Sequence, residues 1–198
     1  MPFLALEGVR VIDVSRDISG PFCAKLLADY GAEVIKLEEP LKGDTSRYKG
    51  PFPDQTPHLE KSGLFLHVNA NKKGVTLDLE SPLGGDLFRE LVKESHVVIE
   101  SYYPGKMESL GLGYNTLKSL RPELVMTSVT PYGQTGPHRD YEFTELTVFA
   151  MAGAMYREGH PGRHPLVYGG EVSQYFAGTS AAAATIAACF GVSLTGLG

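Results

Sequence analysis

The sequence predicts an α/β fold, a doubly wound and mainly parallel sheet with helices on both faces. Two observations predict it. Short β-branched runs alternate with amphipathic, helix-length segments nearly end to end, as in buried parallel strands joined by crossover helices. Gly/Pro punctuation, from 23 glycines and 13 prolines in 198 residues, separates the segments where such units turn.

Val9, Val11, Ile12 and Val14 mark the first strand. The loop 15–20 follows, and Pro21 suits a first helical position with Ser19 or Gly20 as its cap. Phe22, Leu26, Leu27 and Tyr30 stripe that helix, Gly31 ends it, and residues 32–37 form the next strand. A βαβ unit of this length implies parallel strands through a right-handed crossover. Residues 38–62 are polar and Pro/Gly-rich without a period, which predicts a long surface excursion. Order resumes at residues 64–68. Residues 75–79 read as a strand, 83–94 as a helix opened by Ser81-Pro82, and 97–100 as another strand. Short helical pieces are expected at 106–110 and 114–120, a strand at 124–129, a helix at 145–155 and an alanine-dense helix at 178–190.

Composition narrows the function. Eighteen Lys and Arg against 23 Asp and Glu leave a net charge of −5, with no basic patch for nucleic acid or an anionic membrane. No uninterrupted apolar run of bilayer length and no basic-then-apolar leader is visible, so a cytoplasmic location with no membrane partner is expected. Cys23 and Cys189 sit in apolar helical surroundings without C-x-x-C spacing and read as reduced core residues. His160 and His164 are four apart, but Pro161 and Pro165 break the helix that metal ligation at this spacing uses, so no metal site is expected.

Three loops could meet a ligand. In such sheets ligands bind beyond the carboxyl ends of the strands, where the loop 15–20 opens a helix N-terminus. It offers only Gly20 where a dinucleotide fingerprint needs G-x-G-x-x-G, so Glu38 as a ribose-binding acid supports a nicotinamide-dependent oxidoreductase only weakly. Lys72 and Lys73 read as a solvated turn or as a phosphate contact. Tyr102 and Tyr103 either stack on a base or pack over the sheet edge. Glu171, after Gly169-Gly170, reads as a carboxylate at a helix start.

Taken in register, the short motifs resemble the family III CoA-transferases of the CaiB/BaiF type. The stretches are Leu6-Glu7-Gly8-Val9-Arg10-Val11-Ile12-Asp13, Ser19-Gly20-Pro21-Phe22, residues 26–38, Gly43-Asp44 with Arg47, and Asn71-Lys72-Lys73. Pro104-Gly105, Leu110-Gly111-Leu112-Gly113-Tyr114 and Tyr132-Gly133-Gln134-Thr135-Gly136-Pro137 complete the series. The resemblance implies a Rossmann-like large domain that binds coenzyme A or an acyl-CoA, with no covalently bound cofactor. It implies Ile18, Ser19, Lys72, Ser101 and Tyr102 as nucleotide contacts. It also implies transfer of CoA between carboxylic acids through an aspartate nucleophile at the start of the alanine-rich helix.

At that aspartate position the sequence has Gln174, whose neutral amide cannot serve, and Glu171 is the nearest substitute. Where a racemase branch places histidine the chain has Thr144, and where bases are expected near the nucleotide it has Glu39 and Ser109. The expectation is therefore a chain incompetent for CoA transfer alone. The alternative is a non-catalytic CoA-binding or scaffold domain of a tandem transferase, partnered by a second such domain or by itself as a homo-oligomer. Set against the family, residues 1–198 read as the large domain, truncated before its last elements and the small domain.

Overall fold

A computed structural model describes residues 4–198. Five parallel strands stand in the order β3-β2-β1-β4-β5: β1 Arg10–Asp13, β2 Glu33–Glu38, β3 Lys72–Thr76, β4 Val97–Glu100 and β5 Val125–Ser128. The order reverses between β1 and β4, so the crevice for a ligand lies beyond the carboxyl ends of these two strands.

Alternation along each strand builds two cores. Val11, Val34, Val97 and Ile99 face α1 (Ser19–Asp29) and α8 (Val172–Thr195), where Cys23, Ala24, Leu27 and Ala182 complete the packing. Ile12, Leu37 and Val98 face α3 (Pro82–Lys93) and α5 (Tyr114–Leu120), closing over Phe88, Val92 and Leu117. Helices on both faces explain why consecutive apolar residues such as Val11-Ile12, Val34-Ile35 and Val97-Val98-Ile99 occur in these strands. Burial pushes the Cys23 thiol up to about 12, the state of an inert core thiol.

Several boundaries differ from expectation, each for a local reason. Helix α1 starts at Ser19, not Pro21, and its cap residue Ile18 contributes no side-chain bond. Pro21 is accommodated because first-turn N–H groups lack intrahelical partners in any case. Strand β3 spans Lys72–Thr76, not 75–79, and Leu77 and Leu79 instead pack against the second core. Residues 64–68 lie in a short helix, α2 (Gly63–Val68), capped by Ser62. Between α3 and α5, α4 (Lys106–Ser109) falls where a helical piece was expected. The helix expected at 145–155 is broken by Gly153 at φ 77°, giving α6 (Glu145–Met151) and α7 (Ala154–Arg157).

The alanine-rich helix is longer than read, 24 residues with a mean hydropathy of 1.5 over its most apolar window. By length and composition it could span a bilayer, although its serines, threonines and Gln174 leave no uninterrupted apolar run of that length. One side packs on α1 and the sheet through Gly178, Ala182 and Thr185, and Thr185 shares a 2.7 Å hydrogen bond with Thr127 of β5. Phe176, Phe190 and Leu194 are exposed on it.

The close approach of α8 to α1 requires glycine at 178, where a Cβ would lie 2.5 Å from the Ser19 carbonyl oxygen. Helix propensity alone favours Gly178→Ala by about 1 kcal/mol. The backbone clash reverses that sign, with an expected net loss of about 1–3 kcal/mol read as a lower urea midpoint at unchanged m. A midpoint that rises contradicts the close approach.

Candidate functional site

The site begins with charges folded into the sheet. Asp13 ends β1 fully buried, and Lys36 of β2 lies beside it on the same face with its side chain 2% exposed. The Lys36 ammonium donates to the Ser15 carbonyl and pairs with Asp44 at 2.7 Å. Lys72 enters from β3: its Nζ donates to Asp13 Oδ2 at 2.8 Å, to the Pro21 carbonyl at 2.8 Å and to Asn69 Oδ1 at 2.9 Å. Glu38 accepts the Asp44 N–H at 2.8 Å and holds Arg47 through two bonds of 2.7 and 2.8 Å, while the guanidinium lies 3.6 Å over the Phe65 ring. Three carboxylates thus meet three cations, and no net charge is buried.

Burial raises the carboxyls of Asp13 and Asp44, but the Lys36 ammonium and hydrogen bonds outweigh it and hold both below their ordinary value. Burial likewise lowers Lys36, and Asp13 and Asp44 outweigh it to leave that lysine above its ordinary value. Lys72 has the Lys36 charge beside it, and burial pulls it down to about 8.

The network corrects one expectation directly. Residues 38–62 are not a surface excursion throughout: Asp44, Ser46 and Ser62 are fully buried, and Ser62 donates to the carbonyls of Ser46 and Lys49. The loop is pinned against the ends of β1 and β2.

Above this base lies a cavity of about 630 Å³ at the switch point. Ser101, just after β4, accepts the Arg16 N–H at 2.8 Å and donates to the Arg16 carbonyl at 3.3 Å, tying the two central loops together. The Arg16 guanidinium lies 5.1 Å from the Tyr102 ring centroid and pairs with Glu39 at 3.0 Å. Asp17 adopts φ 71°, a left-handed conformation that its short side chain tolerates, and pairs with Lys49 at 2.6 Å. The far wall comes from α6 and the first turns of α8, with Glu145, Ser173, Gln174 and Ala177.

The residues singled out from sequence divide accordingly. Ser19, Ser101, Tyr102 and Gln174 line this cavity together. Ile18 is 1% exposed and sits in the core. The Lys72 side chain is 1% exposed and turned to Asp13, so it is neither a solvated turn nor a group with a free donor. Glu171 is the N-cap position of α8 but makes no capping bond; it pairs with Lys49 at 3.3 Å. Glu39, read as an acid displacing a base, is itself neutralised by Arg16 and Lys42. In sequence, Asp13 and Lys36 stand only as members of strands and matched stretches, although a charge inside a β-branched run signals a buried partner; Glu145 stands as a helix start and as the acid after the racemase-branch position at Thr144. No group of three or more His, Cys, Asp or Glu is placed to hold a metal among the described residues. A second cavity, of about 650 Å³, lies along β5 against Glu100 and Met126 and includes none of the loop 15–20.

Residues 6–198 match CoA-transferase family III. The β subunit of succinyl-CoA–L-malate CoA-transferase from Chloroflexus aurantiacus is 41% identical over 167 residues, 84% of this chain and 40% of that protein. Succinate–glutarate CoA-transferase from Agrobacterium fabrum is 37% identical over 185 residues, 92% of this chain and 46% of that protein. Among crystal structures, a CAIB/BAIF family protein from Brucella suis superposes with a TM-score of 0.90 at 32% identity, over 98% of this chain and 51% of that one. Rv3272 from Mycobacterium tuberculosis superposes at 0.87 and 33% identity, over 100% and 54%. The chain spans about half the length, or less, of these relatives.

Two predictions follow from the charge network. Lys36→Met strands Asp44 in the interior and leaves Asp13 with Lys72 as its remaining cation, and is expected to cost about 3–5 kcal/mol in urea unfolding; a change within experimental error contradicts the pairing. As pH falls, the unfolded chain protonates its carboxylates before Asp13 and Asp44 do in the folded state. Their stabilisation is therefore complete above the ordinary aspartate value of about 3.9 and is lost as pH falls through their depressed values. The urea midpoint is expected to drop between about pH 5 and pH 2 more steeply than in Asp44→Asn. Equal slopes overturn the assignment.

Proposed function

The chain belongs to CoA-transferase family III, and on that premise we propose that its switch-point cavity binds an acyl-CoA thioester, as the nucleotide-side domain of an acyl-CoA:carboxylate CoA-transferase. One observation carries the reading: the cavity opens at the carboxyl ends of β1 and β4, where the loop 15–20 and Ser101 are bonded to one another. Its volume falls in the range of about 300–1,000 Å³ usual for small-molecule sites. Arg16, Lys42, Lys106 and Arg139 line it, cations suited to a nucleotide's phosphates. In place of the absent base after Glu38, Arg16 and Lys42 supply positive charge from either side of Glu39. Tyr102 beside the Arg16 guanidinium offers a flat face for the adenine.

Gln174 favours a second reading, a non-catalytic CoA-binding or scaffold domain that works with a competent partner domain. The exposed Phe176, Phe190 and Leu194 of α8 support association with a second domain or a second copy. A cytoplasmic location accords with the acidic composition and with acyl-CoA as the ligand.

Ala177 is exposed at the cavity wall, so Ala177→Phe fills the site without overpacking a core. Calorimetry is expected to show saturable binding of CoA to the chain and loss of binding in Ala177→Phe, with folding stability changed by no more than about 0.5 kcal/mol. Undiminished binding in the variant places CoA elsewhere and overturns the reading.

A further inference from the structure

We propose that Glu145 is the carboxylate that takes the acyl group in this chain, in place of the amide at Gln174; the assignment rests on the acyl-CoA reading of the switch-point cavity. Four carboxylates line that cavity, Asp17, Glu39, Glu80 and Glu145. Three are held by cations: Asp17 by Lys49 at 2.6 Å, Glu39 by Arg16 at 3.0 Å and by Lys42, and Glu80 by Lys106 at 2.5 Å. Glu145 forms no ion pair among the described residues, and a carboxylate not committed to a cation keeps its lone pairs for attack.

Its position is fixed from both sides. Thr144 and Thr147 bond reciprocally, Thr144 N to Thr147 Oγ1 at 2.8 Å and Thr147 N to Thr144 Oγ1 at 3.2 Å, which sets the first turn of α6. Glu145 Oε1 then accepts the Ser173 N–H at 2.7 Å, in the first turn of the 24-residue α8. Anchoring one oxygen leaves Oε2 without a protein donor among the described residues. The carboxylate sits one residue from Gln174, at a helix end whose free N–H groups favour negative charge. Glu171 lacks this arrangement: it pairs with Lys49 and is not part of the cavity wall.

The chemistry balances without an added reactant. Glu145 Oε2 attacks the thioester carbonyl carbon; a C–O bond forms, the C–S bond breaks, and CoA leaves as thiolate, giving a mixed anhydride. The thiolate attacks the glutamyl carbonyl carbon, releasing the donor as its carboxylate and leaving a glutamyl-CoA thioester. An acceptor carboxylate attacks that thioester and expels the thiolate. The thiolate then takes the acceptor acyl group from the second anhydride and restores the Glu145 carboxylate.

The test treats the chain with succinyl-CoA, traps with borohydride, which reduces a glutamyl thioester to the alcohol, and maps the modified peptide by mass spectrometry. The proposal expects modification at Glu145, its disappearance in Glu145→Gln and its persistence in Glu171→Gln. The glutamine at 145 can still accept the Ser173 N–H, so the variant is expected to keep its fold, which circular dichroism checks. Calorimetry with CoA is run on the same samples. Binding without modification, or modification at another residue, overturns the Glu145 assignment and leaves the binding reading standing. Absence of both binding and modification overturns the two together.

Discussion

The Lys36 ammonium is the interaction on which the rest of the molecule depends. It sits in the middle of a parallel sheet, 2% exposed, where an unpaired charge would cost several kcal/mol. It therefore recruits Asp13 from β1, Asp44 from the loop after β2 and the Ser15 carbonyl from the loop after β1. Lys72 brings in β3 through the same Asp13. Three stretches of chain, residues 13–15, 36–44 and Lys72, are fixed at one point beneath the switch-point crevice. The loops that line the cavity are pinned at their bases by these bonds.

Long-range pairing of this kind divides what the sequence revealed from what it did not. The sheet, the two-sided helix cover and the core were legible because they rest on periodicity and burial, which repeat along the chain. Gly111 and Gly113 separate α4 from α5 in sequence as they do in the fold. The ends of β3 and α8 were not legible. Lys72 belongs to β3 because its ammonium reaches Asp13, a contact 59 residues away that local pattern does not carry. Helix α8 extends six residues before Gly178 because Glu145 satisfies the N–H of Ser173, again a long-range contact.

The site shows the same split. Ser19, Ser101, Tyr102 and Gln174 could be placed from motifs in register, and they come together on one cavity. Ile18 and Lys72 share those motifs, yet their side chains serve the scaffold. The reverse error concerns charge. A linear reading sees Glu39 as an acid that repels a nucleotide, whereas the fold brings Arg16 and Lys42 against it. Local pattern likewise shows the lost acid at 174 but not the Glu145 carboxylate that α6 sets against the neighbouring Ser173 N–H.

The central claim is that this cavity holds an acyl-CoA with its thioester at the Glu145 side of α8. A crystal structure of the chain with a non-cleavable CoA thioether tests it most directly. The account predicts the nucleotide against Ser19 and Ser101, and the thioether's carbonyl-equivalent carbon within about 3.5 Å of Glu145 Oε2, the reach of a near-attack geometry. A ligand seated in the cavity along β5, or one whose thioether turns away from Glu145, would contradict it.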